Sequence, residues 1–169
     1  MSADDTVFKN AMRLLAGGVT IVATALDGEK SGLTATAVCS LALSPPRVLA
    51  CVNHGGRTYE LLSKSRIMSV NLLAEGHEEL ARRFAAKRAG QVDDRFGNSE
   101  WRTAVTGAPL FAGALAALDC RITEMMPLDT HSILVGVVED VHFGPRARPL
   151  VHFEGGYTSL LSSLSETLS

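Results

Sequence analysis

The sequence predicts a mainly β fold, built as a small and largely antiparallel barrel. Three observations carry that reading. Six or seven strand-like runs stand against two or three helical ones. The strands do not alternate regularly with long helices, which disfavours a doubly wound parallel sheet. Closure into a barrel also removes the edges that so many short strands would otherwise expose.

The elements follow in chain order. Asp4 or Asp5 caps a first helix, placing Val7, Phe8, Ala11, Met12 and Leu15 on one face until Gly17-Gly18 ends it. Val19 to Leu26 is a β-branched strand, and Asp27-Gly28 turns it back into "EKSGLTAT". Pro45-Pro46 is read as preventing regular structure, after which "RVLACVN" (Arg47 to Asn53) forms the next strand. Gly55-Gly56 breaks that strand, "RTYELLSKS" makes one or two helical turns, and "IMSVNLL" (Ile67 to Leu73) returns to strand. "HEELARRFAAKRAG" is a helix that packs Leu80, Ala81 and Phe84 inward and stops at Gly90. Gln91 to Gly113 has little periodicity and reads as a long ordered loop anchored by Trp101, Pro109 and Phe111. Three strand candidates close the chain: "LAALDCRITEM", "HSILVGVVEDVHF" and "PLVHFEGGYTSL". No linker, repeat or composition shift divides residues 1–169, so a single domain is expected.

Composition narrows the function classes. Hydrophobic residues make up 46% of the chain, which argues against disorder. A formal net charge of -2 argues against a phosphate-tracking nucleic-acid surface, and the basic run Arg82 to Arg88 reads as a solvated helix end. The cysteines Cys39, Cys51 and Cys120 form no C-x-x-C pair and read as buried thiols of a reducing compartment. No apolar signal core and no membrane-length apolar stretch is visible, so a soluble cytoplasmic protein without a membrane partner is expected. The nucleotide-cradling G-x-G-x-x-G and G-x-x-x-x-G-K-[ST] patterns are missing, as is the G-x-S-x-G of serine hydrolases. His54, His77, His131, His142 and His152 show no metal-ligand spacing, and no metal is expected.

Candidate binding residues gather in a few places. Thr34 and Thr36 point the same way along a strand, and with Ser40 they offer hydroxyls to a phosphate or a ring oxygen. On spacing alone, strand propensity and turn capping account for these residues better than a ligand does. Asn53 ends an apolar strand, where an amide both donates and accepts. Arg57 and Thr58 follow two glycines at a helix start, a natural anion position that also fits ordinary turn chemistry. Lys87, Arg88 and Arg95 are cations within reach of a phosphate, although a helix C-terminus favours cations without any ligand. His131 follows "PLDT" and opens a strand, which suits either a cleft rim or a turn histidine bonded to Asp129.

Taken in order, "GLTATAVCSLALSPPRVLACVN", "RTYELL", "SVNLLAEGHEELARRFA", "THSILVGVVEDV" and "PLVHFEGGYTSL" resemble the short-chain flavin reductases, the small reductase partners of two-component flavin monooxygenases. The resemblance runs from about Val7 to Leu160. It implies a split β-barrel that binds FMN, as a homodimer with the flavin near the subunit interface, and that reduces flavin (FMN, or FAD or riboflavin) with NADH or NADPH. By the same resemblance, Thr34, Ala35, Thr36 and Ser40 flank the flavin and its ribityl–phosphate tail. Ala50, Cys51, Val52 and Asn53 line the ring edge. Arg57 and Thr58 serve the tail, with Lys87 or Arg88 as countercharge. Phe84 and Arg95 match the family's helix and the segment after it, Tyr157 lies near the flavin, and His131 faces the nicotinamide side. Family members often carry Gly-Asp-His where this chain has Asp129-Thr130-His131. Such a site stacks two flat rings and places donors where the flavin gains negative charge, while the cofactor supplies the hydride chemistry. Two alternatives share the fold: an FMN-dependent reductase of a bound acceptor such as a cobalt(II) corrinoid, and a non-catalytic flavin or haem binder.

Overall fold

A computed structural model describes residues 3–86, 94–97 and 100–161. Helix α1 (Asp5–Arg13) begins at Asp4, whose carboxylate accepts from the Thr6 and Val7 N–H groups at 2.9 and 3.1 Å. Its expected apolar face is real, but no residue of the helix is buried, and Val7 and Phe8 remain 64% and 60% exposed. Then come β1 (Gly17–Gly18), β2 (Thr20–Leu26), β3 (Glu29–Ala35), β4 (Val38–Leu43), β5 (Pro46–Asn53), α2 (Arg57–Ser65) and β6 (Ile67–Leu72). The chain continues through α3 (Glu78–Ala85), β7 (Trp101–Arg102), β8 (Leu110–Phe111), β9 (Ala116–Leu128), β10 (His131–Phe143), β11 (Leu150–Phe153) and β12 (Gly156–Ser159).

Three expectations need correction. Pro45-Pro46 does not interrupt regular structure: Pro46 is the first residue of β5, where a missing N–H is tolerated, and β4 folds back onto β5 through Ser44-Pro45. The closing segment is two strands, since Glu154 (φ 51°) and Gly155 (φ 83°) make the same left-handed turn that Asp27 and Gly28 make between β2 and β3. The loop after α3 contains the short β7–β8 pair. The end of the expected third helix, Lys87 to Gly90, lies outside the described residues.

Seven strands form one antiparallel sheet in the order β3-β2-β6-β9-β10-β5-β4. Laid flat, its outer strands would stand roughly 29 Å apart at ordinary strand spacing. Yet β3 and β4 are consecutive, and only Thr36 and Ala37 separate them. Such a link spans at most about 11 Å between its flanking Cα atoms. The sheet therefore rolls shut and brings its two unpaired edges together as a seam. This is the split barrel that the sequence implied.

Alternation then sorts the core. Val22, Val48, Ala50, Val52, Met68, Val70, Cys120 and Leu134 pack inside the barrel. Burial pushes the Cys120 thiol up to about 12, so it is an inert core group. Ile21 and Ala23 face outward on β2 and pack with Phe84, Phe96, Leu110 and Phe111 in a second core beneath α3 and the loop after it. That loop is pinned by polar groups on the outer faces of β6 and β9. The Phe111 N–H donates to Asn71 Oδ1 at 2.7 Å, the Thr106 N–H donates to Asp119 at 2.8 Å, and the Ser69 hydroxyl donates to the Pro109 carbonyl.

His77, just before α3, accepts a hydrogen bond from the Ala74 N–H at 3.1 Å on Nδ1 and meets the Phe111 ring edge-on at 5.0 Å. Its burial depresses its pKa from the ordinary 6.5. The unfolded chain therefore takes up this proton more readily, and stability falls as pH drops below 6.5 toward the folded-state value. Urea midpoints at pH 7.5 and 5.5, read in the parent and in His77→Leu, should show a smaller pH-dependent loss in the variant. Equal losses would contradict the assignment.

Candidate functional site

At the seam the two edges diverge and leave a cleft of about 1010 Å³. One wall is β3 from Ser31 to Ala35, continuing through Thr36 and Ala37, and the other is formed by Cys51 and Asn53 of β5, the start of α2 and His131 of β10. Phe84 to Ala86 and Arg95 close one side. Strand β3 pairs only with β2, and beyond Ala50 the pairing of β5 with β4 gives way to one bond from the Cys51 N–H to the Ala37 carbonyl, at 2.9 Å. The outer edge of β3 therefore borders the cleft without a strand partner.

The expected residues distribute unevenly. Cys51 and Asn53 line the cleft, whereas Ala50 and Val52, of opposite parity, send their side chains into the barrel core. Asn53 and His131 are cross-strand partners. Asn53 Oδ1 accepts from the Gly55 N–H at 2.6 Å, which leaves the amide Nδ2 as an outward donor. The His131 Nδ1 lies 2.8 Å from the Thr130 hydroxyl, so its Nε2 is the nitrogen left for the cleft.

Thr34 donates its hydroxyl to the Ala81 carbonyl at 2.6 Å and so ties β3 to α3, while Thr36 is exposed at the cleft. Thr58 is buried and shares a 2.8 Å bond with Ser31. Arg95 is buried, donates to the Phe84 and Gly32 carbonyls at 3.2 and 3.0 Å, and stacks on the Phe84 ring at 4.7 Å. Gly32 is required here by close approach: a Cβ would stand 2.9 Å from Phe84 Cε1 and 3.2 Å from the Val22 carbonyl oxygen. Arg57 is held by Glu29 and Glu60. Lys87 and Arg88 lie outside the described residues.

Two expected residues sit apart from the cleft within one chain. Tyr157, on β12, packs under the Arg82 guanidinium at 5.0 Å and beside His152, and burial raises its phenol pKa. Ser40 lines a second, apolar groove of about 460 Å³ with Val38, Leu43, Leu72, Val138 and Val141. At that groove Leu43 is 89% exposed, and Phe143, just after the groove-lining Val141 on β10, is 75% exposed.

Sequence reasoning missed a polar knot behind the site. Ser132 is fully buried and bonds to His54 Nε2 at 2.9 Å and to the Tyr59 hydroxyl at 3.0 Å. The His54 N–H donates to the Thr130 carbonyl at 2.9 Å. His54 thus grips the backbone and side chain on either side of His131. The visible signal was a histidine directly after a strand-ending asparagine.

Among the described residues no cluster of metal ligands is present, and no helix is long and apolar enough to cross a membrane. A family model described as "Flavin reductase like domain" matches residues 12–161. The FMN reductase (NADH) RutF of Enterobacter sp. (strain 638) is 37% identical over 158 residues, covering 94% of this chain and 95% of the relative. Two solved structures superpose with a TM-score of 0.86 each: the NADH:FAD oxidoreductase SgcE6 of Streptomyces globisporus C-1027 and BorF, the flavin reductase component of a bacterial two-component tryptophan halogenase. SgcE6 is 29% identical, with 96% of this chain and 97% of that chain covered; BorF is 28% identical, with 94% and 99% covered.

Proposed function

The chain belongs to the flavin reductase like family, and on that premise we propose that it transfers a hydride from NADH or NADPH to FMN and supplies the reduced flavin to a partner monooxygenase. One observation carries the reading: the barrel is left open at its seam, and the opening is bordered by free strand edges beside Asn53 and His131. Its volume, about 1010 Å³, lies at the upper end of the range for small-molecule pockets, as two stacked planar ligands require.

The flavin, when bound, supplies the chemistry of accepting a hydride at its N5. The chain supplies the rest. Strand-edge N–H groups and the Asn53 Nδ2 are the donors available to a ring edge that gains negative charge. The small side chains of Ala35, Ala37 and Cys51 let a flat ring approach the backbone. Thr36, Arg57 and the uncapped start of α2 offer donors to a phosphorylated tail. His131 holds the nicotinamide side of the stack, its ring fixed by Thr130. The exposed apolar groove beside Leu43 and Phe143 supports a homodimer that covers it with a second copy. The partner is proposed from BorF, which is a component of a two-component system.

Purified protein mixed with FMN and NADH or NADPH should oxidise the nicotinamide, followed by absorbance. Flavin binding without turnover would instead mark a non-catalytic binder. His131→Ala should slow nicotinamide oxidation by about tenfold while changing FMN affinity less. Equal rates at low and saturating nucleotide would remove His131 from the reaction. Asn53→Ala deletes a donor and the turn that holds Gly55, and should weaken FMN binding by roughly three- to tenfold in a fluorescence titration. An unchanged affinity would exclude that contact.

A further inference from the structure

We infer that Glu29 governs how tightly the cleft holds a phosphorylated flavin, by occupying the guanidinium of Arg57. This rests on the flavin reading and adds to it the control of affinity. Arg57 is the first residue of α2 and lines the cleft, half-exposed. The other cation lining the cleft among the described residues, Arg95, is buried against two carbonyls. Among the described residues, Arg57 is thus the cleft cation that solvent, and a phosphate arriving from solvent, can reach.

That cation is already engaged. Its Nε and Nη2 donate to the two oxygens of Glu29 at 2.8 and 2.5 Å, the forked geometry that a phosphate would otherwise accept. Its Nη1 donates to Glu60 Oε2 at 2.7 Å. The hydrogen bond from Arg57 lowers the Glu29 pKa, so Glu29 is ionised at neutral pH. Lys64, one α2 turn beyond Glu60, also acts on Glu29, but through screened charge alone. A phosphate beside Arg57 must therefore displace Glu29 from the fork and remain next to its charge. Both effects loosen the phosphate end, and a loosely held flavin leaves readily once reduced.

Glu29→Gln keeps the side chain's size and removes its charge. In fluorescence titrations it should tighten FMN by roughly two- to fivefold, the scale of one partly exposed charge contact, and leave riboflavin, which has no phosphate, unchanged. Glu60→Gln should shift FMN in the same direction, a check that survives if the first variant misfolds. In an Arg57→Gln background, Glu29→Gln should lose most of its effect. An FMN affinity that stays the same or weakens in both glutamine variants, while the parent still binds riboflavin, overturns the inference and leaves the flavin reading standing. Failure of the parent to bind either flavin overturns both.

Discussion

Replacing Phe84 with alanine is expected to lower the unfolding free energy by about 3–5 kcal/mol, the cost of emptying a large buried aromatic site. Phe84 is 2% exposed. Its ring meets Phe96 at 5.1 Å and Trp101 at 5.6 Å, rests against Gly32, and carries the Arg95 guanidinium on its face. The variant loses the packing of the outer core and also the surface on which a buried cation is held. Collapse around the space is resisted because Arg95 is fixed by carbonyls of two different elements. Urea denaturation monitored by the fluorescence of Trp101, the sole tryptophan and a direct neighbour, measures the loss. A loss below about 1 kcal/mol, the size of an ordinary surface change, would contradict this packing. Because Phe84 and Arg95 also wall the cleft, flavin binding should weaken in the same variant.

The second large effect is expected at Asn71. This residue is fully buried, donates to the Ile21 carbonyl at 3.0 Å and to Ser69 Oγ at 2.9 Å, and accepts from the Phe111 N–H at 2.7 Å. Asn71→Leu preserves volume but leaves the Phe111 N–H without its acceptor. The expected cost is about 2–4 kcal/mol, because a buried donor left unpaired keeps its desolvation penalty. The damage should be local as well as global: amide exchange across residues 106–115, which these side chains pin, should accelerate more than exchange in β9 and β10. Uniform acceleration would mean that the loop is held by something other than Asn71.

The contrast between these residues shows what the sequence made legible. Phe84 was readable, since helical spacing placed it on the inward face of α3 and the structure buries it there. Strand β10 was readable from end to end, because β-branched and apolar content marked His131 to Phe143 as the strongest strand candidate. Asn71, Ser69 and Asp119 were not. A polar residue alternating with apolar ones normally faces water, and only the later loop, folding over β6 and β9, turns that face into an interior. Pro46 misled for a similar reason: the rule against proline in strands concerns interior positions, and this one stands at a strand's first residue.

The site divides the same way. Asn53 and His131 were marked by lying at a strand end and a strand start, and pairing brings them face to face. The Arg57 side chain was legible as a cation at a helix start, but its engagement by Glu29 was not, because that carboxylate comes from a hairpin 28 residues away in sequence. Likewise, the apolar stripe of α1 reported a helix without saying what covers it.

The two-residue link between β3 and β4 acts as a gauge for the molecule. Thr36 and Ala37 carry one wall of the opening from β3 into β4, and the Ala37 carbonyl takes the Cys51 N–H of the other wall, so main-chain length sets how far the walls stand apart at that end. Substitutions around the rim can retune which guest is preferred without resizing the doorway, whereas a single inserted residue in that link would alter the clearance for every guest at once.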